Sequence, residues 1–126
     1  PLQIMAEHPD KILRDPATRA GLEVLRRIPS VWDETRVLPA SRMGELSVMA
    51  RRSGDTWFLS VLNGTTARRL EEVPLSFLGS GHYRMVEVTS PDALTLSRRD
   101  KSGVVATNTW SLSLAAGDGA VLMFTK

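Results

Sequence analysis

The chain contains no cysteine and only two histidines, His8 and His82. The first absence excludes disulfides, Cys-ligated metal and a thiol nucleophile, and it leaves the redox compartment open. His8 lies in a proline-punctuated start and His82 in a glycine-rich turn. Neither has a second ligand at metal-binding spacing, so no metal site is expected in this chain. No apolar run approaches the roughly 20 residues of a membrane span, and no charged-then-apolar leader opens the chain. There is no G-x-S-x-G nucleophile elbow, phosphate-binding glycine loop or H-E-x-x-H motif. The first residue is Pro1 rather than Met, and the expectation is a segment of a longer protein.

What is present is ordinary globular composition, with 42% hydrophobic and 24% charged residues, enough for one domain with a genuine core. The net charge is only +2, yet the cations are mostly arginine and include four adjacent pairs: Arg26-Arg27, Arg51-Arg52, Arg68-Arg69 and Arg98-Arg99. Such pairs invite a nucleic-acid reading. Acidic residues are interspersed among them, however, and neighbours on a strand point to opposite faces. Neither nucleic acid nor a membrane is therefore an expected partner.

Two regions differ in period. Residues 1–30 form a helical segment. Within it Asp15 before Pro16 reads as a helix start, and a shorter turn follows Pro9. Ala17, Ala20, Gly21, Val24, Leu25 and Ile28 recur at helical spacing. Arg26 and Arg27 suit the last turn, and Pro29 ends the helix. Gly21 in mid-helix costs about 1 kcal/mol against Ala, which predicts a close neighbour there. Residues 31–126 change to a period of two and predict a β-sandwich. Strands are expected around Leu46–Ala50, Thr56–Leu62, Ala67–Val73, Tyr83–Thr89, Leu94–Ser97, Val104–Leu114 and Ala120–Thr125. Turns are expected at Ser53-Gly54-Asp55, Asn63-Gly64, Gly79-Ser80-Gly81, Ser90-Pro91-Asp92, Lys101-Ser102-Gly103 and Gly117-Asp118-Gly119. The fold class is therefore mainly β, an antiparallel sandwich of about seven or eight strands preceded by one N-terminal helix.

One polar cluster could carry chemistry, Trp32-Asp33-Glu34-Thr35-Arg36. Asp33 and Glu34 would have to flank a single glycosidic bond to act as a catalytic pair. On a strand they project oppositely, so the expectation is that Trp32 anchors the strand while Asp33, Glu34 and Arg36 make edge or interdomain hydrogen bonds. Trp57 and Trp110 share strand faces with Leu59 and Val61, and with Leu112 and Leu114. Both are expected in the core. Phe58, opposite Trp57, is the residue left as a possible exposed sugar platform, and with it a carbohydrate-binding module is the alternative reading.

Several stretches together resemble glycoside hydrolase family 97. They are Pro1-Leu2-Gln3-Ile4-Met5-Ala6 with His8-Pro9, the run from Ile28 to Leu38 that contains Trp-Asp-Glu-Thr, Gly44-Glu45, the run from Ala50 to Trp57 that contains Arg-Arg-x-Gly-Asp-x-Trp, and Pro74-Leu75-Ser76-Phe77-Leu78-Gly79. Their order and spacing agree from residue 1 to about residue 90. The resemblance implies an enzyme with an N-terminal β-sandwich, a central (β/α)8 catalytic barrel and a C-terminal β-sandwich, of which this chain is the barrel's end and the last domain. It further implies a parent that hydrolyses α-glucosides or α-galactosides with calcium near the scissile sugar, in the periplasm or secreted. The catalytic carboxylates and calcium ligands would lie upstream, so no catalytic, cofactor or metal residue carries over. The oligosaccharide substrate would be met only through the parent. One departure is the tight Asn63-Gly64-Thr65-Thr66 loop, where the family has a larger polar one. The expected interdomain contacts are Val24, Leu25 and Ile28 of the helix with Trp32, Asp33, Glu34 and Arg36, and the partner is the barrel. With the barrel removed, the helix face is expected to fold back, fray or form a weak homodimer, the last being favoured.

An inward Trp57 predicts that Trp57→Ala lowers stability by about 3–5 kcal/mol, read as the shift in urea unfolding. A soluble variant with an unchanged melting temperature would put Trp57 on the surface.

Overall fold

The computed structural model describes residues 8–92 and 95–126, and of Ala17 only the backbone. The Pro1–Ala6 motif, Leu94 as the start of a strand, and the Ala17 side chain lie outside the described residues.

Among the described residues, two helices lead into eight strands. Helix α1 (Pro9–Arg14) has proline in its first turn, and the His8 side chain accepts from the Asp10 N–H at 3.4 Å. Helix α2 (Pro16–Arg27) also begins on proline, where a missing N–H costs nothing, and Arg26 and Arg27 occupy its last turn. The Thr18 hydroxyl donates to the Ile12 carbonyl at 2.6 Å and ties the two helices together. The strands are β1 (Glu34–Val37), β2 (Leu46–Ser53), β3 (Thr56–Asn63), β4 (Arg69–Pro74), β5 (Tyr83–Asp92), β6 (Thr95–Val104), β7 (Thr109–Leu114) and β8 (Gly119–Thr125). Six of them form one sheet in the order β1-β2-β3-β8-β5-β6, and β4 pairs with β7 in a second sheet. Every pairing is antiparallel.

The core lies between the sheets. Val48, Leu59, Val61, Leu122 and Phe124 of the large sheet meet Val73, Leu112 and Leu114 of the small one. Trp57 and Trp110 are buried there as expected, at 4% and 6% exposure. Phe77 packs between Trp57 and Phe124, with ring centroids 5.3 and 5.8 Å away.

The large sheet also buries part of its outer face. Val24 of α2 joins Phe58, Val86 and Met123 in a second cluster, with Ile28, Trp32, Val88 and Val121 around it. Two expectations are corrected here. Phe58 is 5% exposed and no sugar platform, because Trp32 closes over it edge-to-face at 5.3 Å. The helix face is neither bare nor left for a homodimer: of the three options it folds back on the sandwich, and Val24, at 4% exposure, is spent within the chain. The expected neighbour of Gly21 is present. A Cβ at that position would lie 3.6 Å from Leu96 Cδ1 and 4.0 Å from Val88 Cγ1.

Three loop and strand assignments also change. Ser90-Pro91-Asp92 is the end of β5, not a turn. Pro91 is tolerated because β8 pairs only as far as Thr89, so no ladder donor is lost on that side. Lys101-Ser102-Gly103 is a bulge inside β6 rather than a break, with the extra residue falling between the Met85–Lys101 and Tyr83–Val104 pairs and Gly103 at φ +73°. The run Val104–Leu114 is broken: Val104 ends β6 and β7 takes up Thr109–Leu114. Asn108 accepts the Val105 N–H on its side chain at 2.9 Å and returns its own N–H to the Val105 carbonyl at 3.0 Å, turning the chain from one sheet to the other.

Glu23 fastens α2 to the sheet. Its two carboxylate oxygens accept from Arg84 at 3.0 Å and Arg98 at 2.5 Å, and both arginines also hold Asp100, at 2.6 and 2.8 Å. Hydrogen bonds from Arg84 and then Arg98 hold the Glu23 carboxyl below its ordinary pKa, and Arg98 does the same for Asp100. A depressed carboxyl contributes stability above its unfolded pKa, about 4 for these residues, and loses it as the pH falls through the lower folded value.

Two outcomes follow. Gly21→Ala raises stability by about 0.5–1 kcal/mol, since the new methyl finds ordinary contact distances; a loss on denaturant titration would show that the helix cannot take it. Glu23→Gln melts a few degrees below the unmodified chain at pH 7, and the gap narrows as the pH falls below about 4 and in high salt. A gap as wide at pH 3 as at pH 7 would rule out the charge as its source.

Candidate functional site

The Trp32–Arg36 segment runs along the β1 edge of the large sheet, and its partners are set by register. Glu34 lies opposite Arg52, and Arg52 opposite Trp57, so all three share the inner face. Glu34 accepts from Arg36 at 2.5 Å and from Arg52 at 3.3 Å. Asp33 accepts the Gly54 N–H at 2.7 Å, across the β2–β3 turn. The Arg36 and Arg52 guanidiniums lie 5.3 and 5.8 Å from the Trp57 ring centroid, within cation–π range. The Arg36 hydrogen bond holds the Glu34 carboxyl below its ordinary pKa. Asp33 and Glu34 are thus tied to different groups and do not converge on one point. Trp32 sits on the other face, under Arg51 at 5.5 Å.

The remaining expected contacts divide. Leu25 is 37% exposed and Ile28 half-buried, so only the rim of the α2 stripe is open, joined by Leu13 of α1 at 45%. Among the described residues, no three His, Asp or Glu side chains gather to hold a metal ion. The paired arginines separate as alternation requires. Arg98 reaches Glu23 on the outer face, while Arg99 donates to the buried Glu87 at 2.6 Å.

Sequence reasoning missed a second surface at the opposite edge from β6. Val37, Met49, Ser60 and Val121 form one row across β1, β2, β3 and β8 on the outer face. Helix α2 covers the Val121 end, and the β1 end is open. Val37 is 67% exposed, Leu62 61%, and Met43 fully so. With Leu46 and Met49 they line an open groove of about 500 Å³. Arg42 and Glu45 add charge to its lining; behind them on β4, Glu71 lies 3.8 Å from Arg42 and Arg69 bonds Glu45. The signal was there in Met43, an apolar residue in a turn where polar ones are the rule, and in Val37-Leu38, which breaks the alternation.

A family model described as "Glycosyl-hydrolase 97 C-terminal, oligomerisation" matches residues 31–125. A retaining alpha-galactosidase of Bacteroides thetaiotaomicron is 39% identical over 83 residues, 66% of this chain and 12% of that protein. A probable retaining alpha-galactosidase of Streptomyces bingchenggensis is 36% identical over 121 residues, 94% of this chain and 17% of that protein. This chain thus spans less than a fifth of the length of either curated relative. The fold matches a glycoside hydrolase family 97 enzyme from Pseudoalteromonas sp. strain K8, solved with acarbose, at a TM-score of 0.77 and 21% identity, over 94% of this chain and 19% of that one. The family model spans most of the chain and both curated relatives exceed 30% identity, and the chain belongs to glycoside hydrolase family 97 as its C-terminal domain.

Proposed function

We propose that this domain is a non-catalytic accessory part of a longer, exo-acting α-glycosidase whose substrate is an α-galactoside. The observation that carries the reading is the commitment of Asp33 and Glu34. One is bound by the Gly54 N–H and the other by two arginines. A general acid must hold its proton near the working pH, and Glu34, its pKa lowered, does not suit that role. The names of both curated relatives favour galactoside over glucoside. On this reading the catalytic carboxylates and calcium belong to upstream domains, and the whole enzyme works in the periplasm or outside the cell. The barrel of the same polypeptide packs near α1 and α2, where the chain arrives and where Leu13 and Leu25 remain open. The domain also supports weak association between copies, in keeping with the family description.

The 126-residue chain is expected to release no nitrophenol from nitrophenyl α-galactoside, with or without calcium, and to show no retardation on galactomannan affinity gels. The longer protein that carries it is expected to turn the same substrate over. Turnover by the chain alone that scales with protein through repurification would overturn the accessory reading. Retardation on the gel would replace it with a carbohydrate-binding module.

A further inference from the structure

We infer that the open β1–β2–β3 end of the large sheet, around Val37, Met43, Met49 and Leu62, is the surface through which two copies of this domain pair. The inference rests on the self-association proposed above and assigns it a place.

Three observations select this face and this occupant. The first is the division of the outer face. Helix α2 already buries the β5, β8 and β3 portion through Val24 and Ile28, so the expected helix-to-helix pairing keeps only the Leu25 and Leu13 rim of its stripe. The β1 end retains an apolar stripe, with Val37, Leu62 and Met43 at 67%, 61% and 103% exposure. An apolar patch of this kind marks an interaction surface, and methionine is enriched where proteins meet.

The second is where the chain arrives. The upstream polypeptide enters through α1, which packs on α2, and α2 rests on β6 and β5. Strands β6 and β1 are opposite edges of the sheet, five strand spacings or about 24 Å apart. A tethered upstream domain meets the α1–α2 side first and leaves the β1 edge for a molecule that is not tethered.

The third is the rim. Arg42 and Glu45 both line the groove, held in place by Glu71 and Arg69 of β4. A two-fold axis sets each residue of a patch against a different residue of the same patch. A rim carrying both signs side by side can therefore match itself, whereas a single-sign rim would repel its copy. β1 adds a short edge strand with unpaired backbone groups on its far side, the usual site of strand-to-strand contact.

Sedimentation velocity of the chain over a concentration range tests this. The unmodified chain is expected to show a concentration-dependent dimer. Val37→Glu with Met43→Glu is expected to raise its dissociation constant about tenfold or more with an unchanged melting temperature, and Leu13→Glu on α1 is expected to leave it as it was. A dimer that Val37→Glu and Met43→Glu leave intact, or that Leu13→Glu disrupts instead, would overturn the choice of face while self-association stands. A strict monomer at every concentration would overturn self-association and this inference together. Should the double variant fail to fold, Met43→Cys supplies the chain's one thiol for a nitroxide. A spin–spin distance under about 40 Å between copies is then expected, since two labels at one interface lie closer than the diameter of a small domain, about 30 Å, plus linkers. No measurable coupling in the dimer would rule the face out.

Discussion

Phe58, Met123 and Val86 stand side by side on the outer face of the central strands, and their burial requires a helix from outside the sandwich. The two-stranded sheet covers only the inner face. Without α2 the large sheet would expose a phenylalanine, a methionine and several valines, each forfeiting roughly 1.5–3 kcal/mol of transfer free energy. The segment at residues 16–28 is thus part of this domain's folding unit, and the sheet it covers holds it from the other side. An element anchored in this way passes the position of whatever precedes it to the sandwich as a rigid lever rather than a loose tether.

Arginine does much of the remaining fastening, and its geometry explains why the pairs do not read as a charged stripe. On β2, Arg51 covers Trp32 outside while Arg52 faces Trp57, Asp33 and Glu34 inside. On β6, Arg98 holds Glu23 while Arg99 reaches Glu87. A planar guanidinium can bond a carboxylate and lie over an aromatic ring at once, which lysine cannot do as well. Replacing these residues by lysine would keep the charge and lose the geometry.

How much of this was legible depended on the range of the interaction. The inward tryptophans, the β2 alternation, both proline-started helices and the arginine divergence follow from spacing alone. So did the close neighbour of Gly21. The runs Trp57-Phe58-Leu59 and Val121-Leu122-Met123-Phe124 carried the two-sided burial, since a strand covered on both faces has no polar side to show. Reading Phe58 as exposed took the alternation rule where it no longer applied. The Gly103 bulge and the Asn108 turn look alike in sequence, as small polar residues among strand formers, and only the pairing partner decides which bends the chain and which ends the strand. The Glu23–Arg84–Arg98–Asp100 cluster joins residues up to 77 positions apart. Nothing local announces it.

The place of β8 sets the timetable of synthesis. It is last in the chain yet lies between β3 and β5, so neither neighbour has its full complement of backbone partners until residue 125 has left the ribosome. Until then the nascent chain carries two unpaired strand edges, of the kind that recruit other chains, and long-range antiparallel pairing closes slowly. Losing residues 119–125 would therefore remove the middle of the sheet rather than trim its margin. Any upstream domain made earlier must wait beside an open sheet until its last strand arrives.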